Sequence, residues 1–294
     1  MNSLHLNNWD DFEVINTSSW IPDARASYES YLAFIKLFDE LPKQELIKRG
    51  WISSKDDFTS MIPLFQELHS NKKNALFRKS NKSDVALCAA WKSKVSEFAK
   101  IVVACQKAAD FQGIDTEYLK KLAKLSVDVS CITSLPAILA KEGIILVYEK
   151  ALPGMKLDGV VFTIESGHPV IGISFRFPRL DNFWFTLMHE LAHINLNMDI
   201  LGDPIFDDLE GSNDELIELK ANRLAKNSFV ERHLLRSCDP KHDKCDKTVI
   251  EFSNKIGIHP AIIAGLLQKE LNEFEIFRKI VDEVNVRRVV FKDE

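Results

Sequence analysis

Residues 183–196 read FWFTLMHELAHINL, and the interpretation of the whole chain starts from this stretch. It contains no glycine or proline, and the residues around its two histidines are almost all apolar, which predicts a helix that is buried on most sides. On such a helix His189 and His193 lie on one face, one turn apart, so both imidazoles can bind the same metal ion. Glu190 lies about 100° further round the helix and can reach a water molecule beside that ion without being a ligand. The stretch therefore predicts a two-histidine metal site with a carboxylate beside it.

The next helical pattern, at residues 213–229, offers a third ligand. A catalytic zinc site takes three protein ligands and keeps one position open for water. Glu218 can complete the set, with Glu215 as the second choice; the alternative is that both glutamates belong to a solvated face. Asn222 lies four residues after Glu218, on the same face, and is predicted to hydrogen-bond one of the ligands. The apolar side of this helix is predicted to contain Leu216, Ile217, Leu219 and Leu224.

Composition and charge narrow the class of protein. The chain has 294 residues, of which 46% are hydrophobic and 28% charged, as in ordinary globular proteins. A net charge of -5 does not favour nucleic acid as the main ligand. The five cysteines are odd in number and are expected to be reduced thiols of a cytoplasmic protein. Neither a signal peptide nor a run of about 18 apolar residues is visible, so we expect no membrane association.

Three short runs rich in β-branched residues precede the motif helix, at residues 144–148, 159–164 and 170–175. The second and third are joined by Glu-Ser-Gly-His-Pro, which has the composition of a hairpin turn. These runs predict a small antiparallel sheet that leads directly into the helix with the two histidines. Helical patterns occupy most of the remaining chain.

Two segments together resemble the ImmA/IrrE family of zinc metallopeptidases. The first is HELAH at residues 189–193, and the second is ELKAN at residues 218–222, which matches the E-x-x-A-N signature that the family carries on the following helix. Further stretches, including FWFT at 183–186 and HPAIIAGLLQ at 259–268, are similar to the long HigA-type antitoxin regulators, and the similarity extends from about residue 30 to 275. The resemblance implies zinc as the cofactor, bound through the two histidines and the glutamate.

The sequence departs from these relatives in two places. The HigA-type regulators carry an N-terminal DNA-binding helix-turn-helix, whereas only about 20 unpatterned residues precede the shared region here, so we expect that element to be missing. Family members also often have a further histidine soon after the second motif histidine. Here residues 194–198 read INLNM, which leaves the three-ligand set intact.

The expected fold class is α+β and mostly helical. Its centre is a zincin-like metallopeptidase domain at 126–235, made of the small sheet, the motif helix and the ligand helix. We expect a flexible arm at 1–19 and a helical N-terminal domain at 20–125 before this domain, and a helical segment at 236–294 after it.

The C-terminal segment also has a helix-turn-helix pattern, with residues 248–256 and 260–271 on either side of Gly257. A recognition helix needs Arg, Lys, Asn or Gln near its start to reach base edges, and here none comes before Gln268. Residues 246–294 hold eight basic and nine acidic side chains, which gives no footprint for phosphates. We therefore predict that this segment packs against the rest of the chain and does not bind DNA.

Several other polar residues could have a role in the site. His168, Arg176 and Arg223 could each stabilise a developing oxyanion, although a histidine in a surface turn is the favoured interpretation of His168. Residues 238–245 place a histidine between two cysteines, but the spacing is not that of a zinc knuckle, and a surface turn is expected.

The leading hypothesis is a zinc-dependent metallo-endopeptidase in which Glu190 acts as the general base. Residues 170–175 would offer an unpaired strand edge to an extended peptide. The resemblance implies that the substrate is a regulatory protein of the repressor or antitoxin type, encoded nearby. The alternative is an antitoxin-like or regulatory interaction module that keeps the peptidase fold with little activity. A DNA-binding regulator is a third hypothesis, for which the sequence offers no clear element.

Overall fold

The computed structural model describes residues 24–62, 82–196 and 213–292, and its centre is a three-stranded sheet. The strands are β1 (Ile145–Tyr148), β2 (Gly159–Thr163) and β3 (Pro169–Ile173), which confirms the three predicted strand positions. Their order is β1-β3-β2, with β3 parallel to β1 and antiparallel to β2.

Two predictions about this sheet are wrong. The sheet is mixed and not antiparallel, because β3 pairs with β1 in parallel. Residues 170–175 do not offer an unpaired edge, because β3 lies between β1 and β2. Every residue of β3 is buried, as expected for a central strand that is covered on both faces and paired on both sides. The hairpin between β2 and β3 follows from local turn chemistry, whereas the insertion of β3 beside β1 depends on tertiary packing.

The protein is mostly helical, so the α+β class is confirmed in outline. The helices before the sheet are α1 (Ala24–Glu40), α2 (Lys43–Lys48), α3 (Lys82–Ala104), α4 (Thr116–Lys124) and α5 (Leu135–Ala140). Those after it are α6 (Leu180–Leu196), α7 (Asn213–Phe229), α8 (Arg232–Arg236), α9 (Pro240–Asp243), α10 (Asp246–Ile256), α11 (Pro260–Leu271), α12 (Arg278–Val281) and α13 (Val286–Val290). Short 3-10 turns cover Thr59–Met61, Leu125–Val127 and Val129–Thr133.

The two faces of the sheet form two hydrophobic cores. Alternate residues of each strand point to opposite faces, so that Ile171 belongs to one core and Val170 to the other. Helix α3 covers one face and buries Trp91 completely. Gly172 allows this approach, because a Cβ there would lie 2.8 Å from Cη2 of Trp91. Helix α6 covers the other face and contacts α4, α7 and α11.

Helix α7 packs on α6 through small side chains. Ala221 and Ala225 are fully buried, and such residues allow two helices to approach closely. Leu216 and Leu219 are 55% and 64% exposed, so the predicted apolar side is wrong for these two residues. The reason is that Glu218 faces α6, and positions 219 and 216 then lie about 100° and 160° away from it around the helix.

Hydrogen bonds connect the helical segments before and after the sheet to residues that follow its strands. Arg49 pairs with Glu149 at 3.1 Å and donates to the carbonyls of Lys150 and Ala151, just after β1. Gln268 is 1% exposed, accepts from Arg179 and donates to the carbonyl oxygens of residues 274 and 276. With these bonds made, Gln268 cannot reach a base edge in this structure.

The predicted arm at 1–19 lies outside the described residues, as does the side chain of Glu215. The division of the chain into these four segments stays a prediction. Within the described ranges, no helix combines the length and apolar character needed to cross a membrane.

Candidate metal centre

Three predicted ligands converge between α6 and α7. The four-residue spacing puts His189 and His193 on one face of α6, with their Nε2 atoms 3.0 Å apart. From α7, Glu218 Oε2 lies 3.3 Å from His189 Nε2, and Glu218 Oε1 lies 3.2 Å from His193 Nε2. One ligand atom from each of the three residues lies within 4.8 Å of the other two, so the cluster could hold a metal ion.

The electrostatics of the cluster fit a cation. Hydrogen bonds from His189 and His193 hold the pKa of Glu218 well below its usual range, so this carboxylate is ionised. Burial lowers the pKa of His189, but the neighbouring carboxylates of Glu218 and Glu190 more than reverse this effect, so its pKa is raised. Two imidazoles and one carboxylate are the ligand set of a catalytic zinc site.

The other ring nitrogen of His189 does not share the contacts of Nε2. Nδ1 is buried and has no hydrogen-bond partner among the residues that the structure describes. A histidine that binds a metal through Nε2 carries its proton on Nδ1 and usually donates it to a nearby acceptor. A hydrogen bond with the Asn222 side chain contributes to the raised pKa of His189, and the role of Asn222 in orienting a metal ligand stays a prediction.

Glu190 differs from the three converging residues in its surroundings. It is 8% exposed, and burial raises its pKa to about 7, although both imidazoles act in the opposite direction. A carboxyl group with a pKa near neutrality is suited to general acid–base chemistry. Glu190 is thus buried beside the cluster and is not among its three possible ligands, and its role as a base stays a prediction.

The backbone of β2 lies directly against Glu190. A Cβ at Gly159 would lie 2.8 Å from Glu190 Oε1 and 2.6 Å from Thr186 Cγ2. Only glycine fits this position without displacing the carboxylate. The sequence interpretation missed this residue, although a glycine at the start of a strand of β-branched residues is a known sign of close approach.

An aromatic side chain that was also missed orients His189. Phe185 lies one turn before His189, and the two rings stack with centroids 6.2 Å apart and an interplanar angle of 29°. Lys269 Nζ lies 4.8 Å from the centre of the same phenyl ring. The His189 imidazole is therefore packed against an aromatic ring of its own helix.

The structure places His168 in the interior, so its interpretation as a surface-turn histidine is wrong. It is 8% exposed, and its ring nitrogens lie 2.9 Å from Ser166 Oγ and 3.1 Å from the carbonyl oxygen of Ala109. Residues 165–167 at the hairpin tip are exposed, whereas His168 is buried because its ring packs on the chain near residue 109. His168 follows the end of β2 that is opposite Gly159, about 14 Å along the strand, so it is not part of the cluster.

The remaining candidates for stabilising an oxyanion or binding a second metal are two arginines and two cysteines. Arg176 forms two hydrogen bonds, of 2.6 and 3.0 Å, with Asp158, the residue before Gly159. Arg223 is exposed on α7. Cys238 is buried and donates to a backbone carbonyl, and Cys245 is an exposed free thiol. In the described part of the chain, the histidine–glutamate cluster is the one group that meets the geometric requirement for a metal site.

Comparison with known families agrees with this geometry. Residues 140–258 match the peptidase M78 family model, described as an IrrE N-terminal-like domain. The matched range is less than half of the chain, but it contains the whole sheet, α6 and α7. The match supports the resemblance to the ImmA/IrrE family and suggests a protein of metallopeptidase type. No curated protein matches the chain.

Proposed function

We propose that the protein is a zinc-dependent metallo-endopeptidase with a zincin-like core formed by the sheet, α6 and α7. The observation that carries the proposal is the convergence of His189, His193 and Glu218 beside a buried carboxyl group. These three side chains would hold the zinc ion. When bound, zinc would supply a Lewis acid that polarises the scissile carbonyl and lowers the pKa of water toward about 7.

Glu190 is the general base in this proposal. Its carboxylate accepts a proton from the attacking water and then gives it to the leaving amine, so the group returns to its starting state after each cycle. Burial raises the pKa of this carboxyl group, which favours its uptake of the proton from water. Burial of the carboxyl group also keeps bulk water away from the transferred proton.

The substrate would approach along β2. Among the described strands, β2 pairs only with β3, which leaves its other edge available, and its first residue contacts Glu190. An extended peptide could pair with that edge and so bring a backbone carbonyl close to the metal ligands. This arrangement favours extended or locally unfolded segments of a regulatory protein, for which a repressor or antitoxin encoded nearby is the proposed source.

The test combines metal analysis with cleavage of fluorescein-labelled casein as an unfolded probe. The purified protein should contain one zinc per chain and lose cleavage on treatment with a chelator. Glu190→Gln should keep zinc and lose at least about a hundredfold in cleavage rate. Glu165→Gln, which changes an exposed carboxylate at the hairpin tip, is the matched control and should behave as wild type.

Undiminished cleavage in Glu190→Gln would overturn the assignment of the base. A protein that binds zinc, cleaves nothing and co-purifies with a stoichiometric small partner would instead favour the alternative, a regulatory interaction module that keeps the peptidase fold.

A further inference from the structure

The C-terminal helix α13 reaches the loop between β3 and α6. The Arg287 guanidinium donates from Nε to the carbonyl oxygen of Phe175 at 2.8 Å and from Nη2 to that of Arg176 at 2.7 Å. The amide of Val286 donates to the carbonyl oxygen of Pro178 at 2.8 Å. Because the guanidinium is planar and rigid, one side chain fixes two successive peptide groups of the loop.

The loop needs such support, because its backbone is strained. Phe175 has a φ of 51°, in the left-handed region that residues other than glycine rarely adopt. Its ring packs against those of Tyr148, Phe183 and Phe291, with centroid distances of 5.1, 5.6 and 5.2 Å. A strained conformation persists where the surroundings determine it from several sides. Arg287 and Phe291 supply two of these contacts.

The same loop holds the backbone that precedes Gly159. The amide of Ser174 donates to the carbonyl oxygen of Asp158 at 3.0 Å, and its hydroxyl donates to that of Leu157 at 2.6 Å. The Arg176 guanidinium donates two further hydrogen bonds to the carboxylate of Asp158. A continuous path of contacts therefore runs from Arg287 through the loop to Asp158 and Gly159.

We propose that Arg287 is a positioning residue for Glu190. By fixing the loop at Phe175 and Arg176, it holds Gly159 against the Glu190 carboxylate from a helix that lies beyond the end of the family match at Ile258. The inference rests on the proposed hydrolase function. It assigns part of the active-site architecture to the C-terminal segment, in which no catalytic motif occurs.

Hydrogen–deuterium exchange on the zinc-loaded full chain tests the path without a substrate. In Arg287→Gln, peptides covering residues 157–163 and 172–178 should exchange at least about tenfold faster, because the Ser174 amide loses a fixed acceptor. Peptides from α11 should exchange as in wild type. Arg288→Gln removes the same charge one residue further on, at an exposed position, and should leave both regions unchanged.

Steady-state cleavage of fluorescein-labelled casein then tests the consequence for catalysis. Arg287→Gln should lower kcat about ten- to hundredfold, with KM within about twofold of wild type and with full zinc content, because a small displacement near the base affects the reaction more than binding. Arg287→Lys should restore part of kcat, since an ammonium group can still donate to one of the two carbonyls. Ser174→Ala interrupts the same path nearer the site and should reproduce the loss if Arg287→Gln does not fold.

Unchanged exchange in Arg287→Gln overturns the inference, as does faster exchange with an unchanged kcat. A parallel loss of zinc, KM and kcat also overturns it, because that result describes a general structural role. If the wild-type protein cleaves no probe at all, the proposed function fails, and the exchange experiment still decides whether Arg287 holds the loop.

Discussion

Each face of the sheet has a glycine that lets a helix approach closely, but the residue opposite that glycine differs between the two faces. Gly172 and Gly159 lie on adjacent strands and face opposite sides, and each removes a Cβ where a helix approaches closely. Opposite Gly172 lies Trp91, a large apolar ring that completes a core. Opposite Gly159 lies Glu190, a carboxyl group that the core would otherwise exclude, since burial without a partner destabilises the charged form. A strand glycine therefore indicates close packing, and the residue opposite it decides whether the packing serves stability or chemistry.

The largest expected effect is on the α3 face. Trp91→Ala should lower the free energy of unfolding by about 4 kcal/mol, since it removes a fully buried indole and leaves a cavity. Zinc binding by the folded protein should be unchanged, because the indole lies on the face opposite the metal ligands. Denaturant unfolding of the zinc-free protein measures the first quantity, and zinc titration measures the second.

A second substitution makes this test sharper. Gly172→Ala should destabilise wild type, because the new methyl group would lie 2.8 Å from Trp91. In the Trp91→Ala background the same methyl group enters the cavity, where Val95 Cγ1 at 3.0 Å is its nearest remaining neighbour, and should destabilise the protein less. A change of equal size and sign in both backgrounds would contradict the close contact between the strand and the ring.

The second-largest effect is expected on the α6 face of the sheet, where the free energy of unfolding should depend on bound zinc. Zinc at about 100 times its Kd should raise the free energy of unfolding by about 2.7 kcal/mol, because only the folded chain brings the three ligands together. Glu218→Ala should abolish this increase. Glu117→Ala, which removes an exposed carboxylate from the neighbouring helix α4, should keep it. Equal stabilisation of both variants would show that zinc binds elsewhere.

Local spacing explains which parts of the site could be predicted from sequence. His189, Glu190 and His193 lie within one helical turn and a half, and Glu218 was placed by the pattern of the next helix. The burial of His168 depends on Ala109, 59 residues earlier, so the local turn composition suggested the wrong environment.

The sheet order and the orientation of α7 also depend on contacts between residues that are distant in the sequence. A hairpin pattern is local, whereas the position of β3 beside β1 depends on burial of both faces of the strand. The leucines at 216 and 219 have apolar spacing, but burial of Ala221 and Ala225 against α6 determines which side of α7 faces inward. Arg287 lies more than a hundred residues from the loop that it holds, and its sequence neighbourhood carries no sign of that contact.

A smaller effect tests the glycine on the α6 face. Gly159→Ala should lower kcat about tenfold, which corresponds to about 1.4 kcal/mol, because the methyl group displaces the Glu190 carboxylate. Zinc content should stay at one per chain. Gly167→Ala alters another glycine of the same hairpin, whose φ of 82° strains an alanine although its Cβ would have nothing within 4 Å, and shows the effect of backbone strain without a close contact. Equal kcat values for the two variants would contradict a role of close packing at Glu190.

The smallest effect is expected on the outer surface of α7. Leu219→Ser should change the free energy of unfolding by less than about 0.5 kcal/mol and leave zinc affinity unchanged, because the side chain is 64% exposed. Ala225→Leu places a similar apolar side chain on the buried side of the same helix, where it has to push α7 away from α6, and should destabilise the protein by about 1–3 kcal/mol while weakening zinc binding. Denaturant unfolding and zinc titration of the two variants compare these sides directly. A large loss in Leu219→Ser would mean that the outer surface of α7 packs against another part of the protein, and that burial of Ala221 and Ala225 alone does not determine the orientation of Glu218.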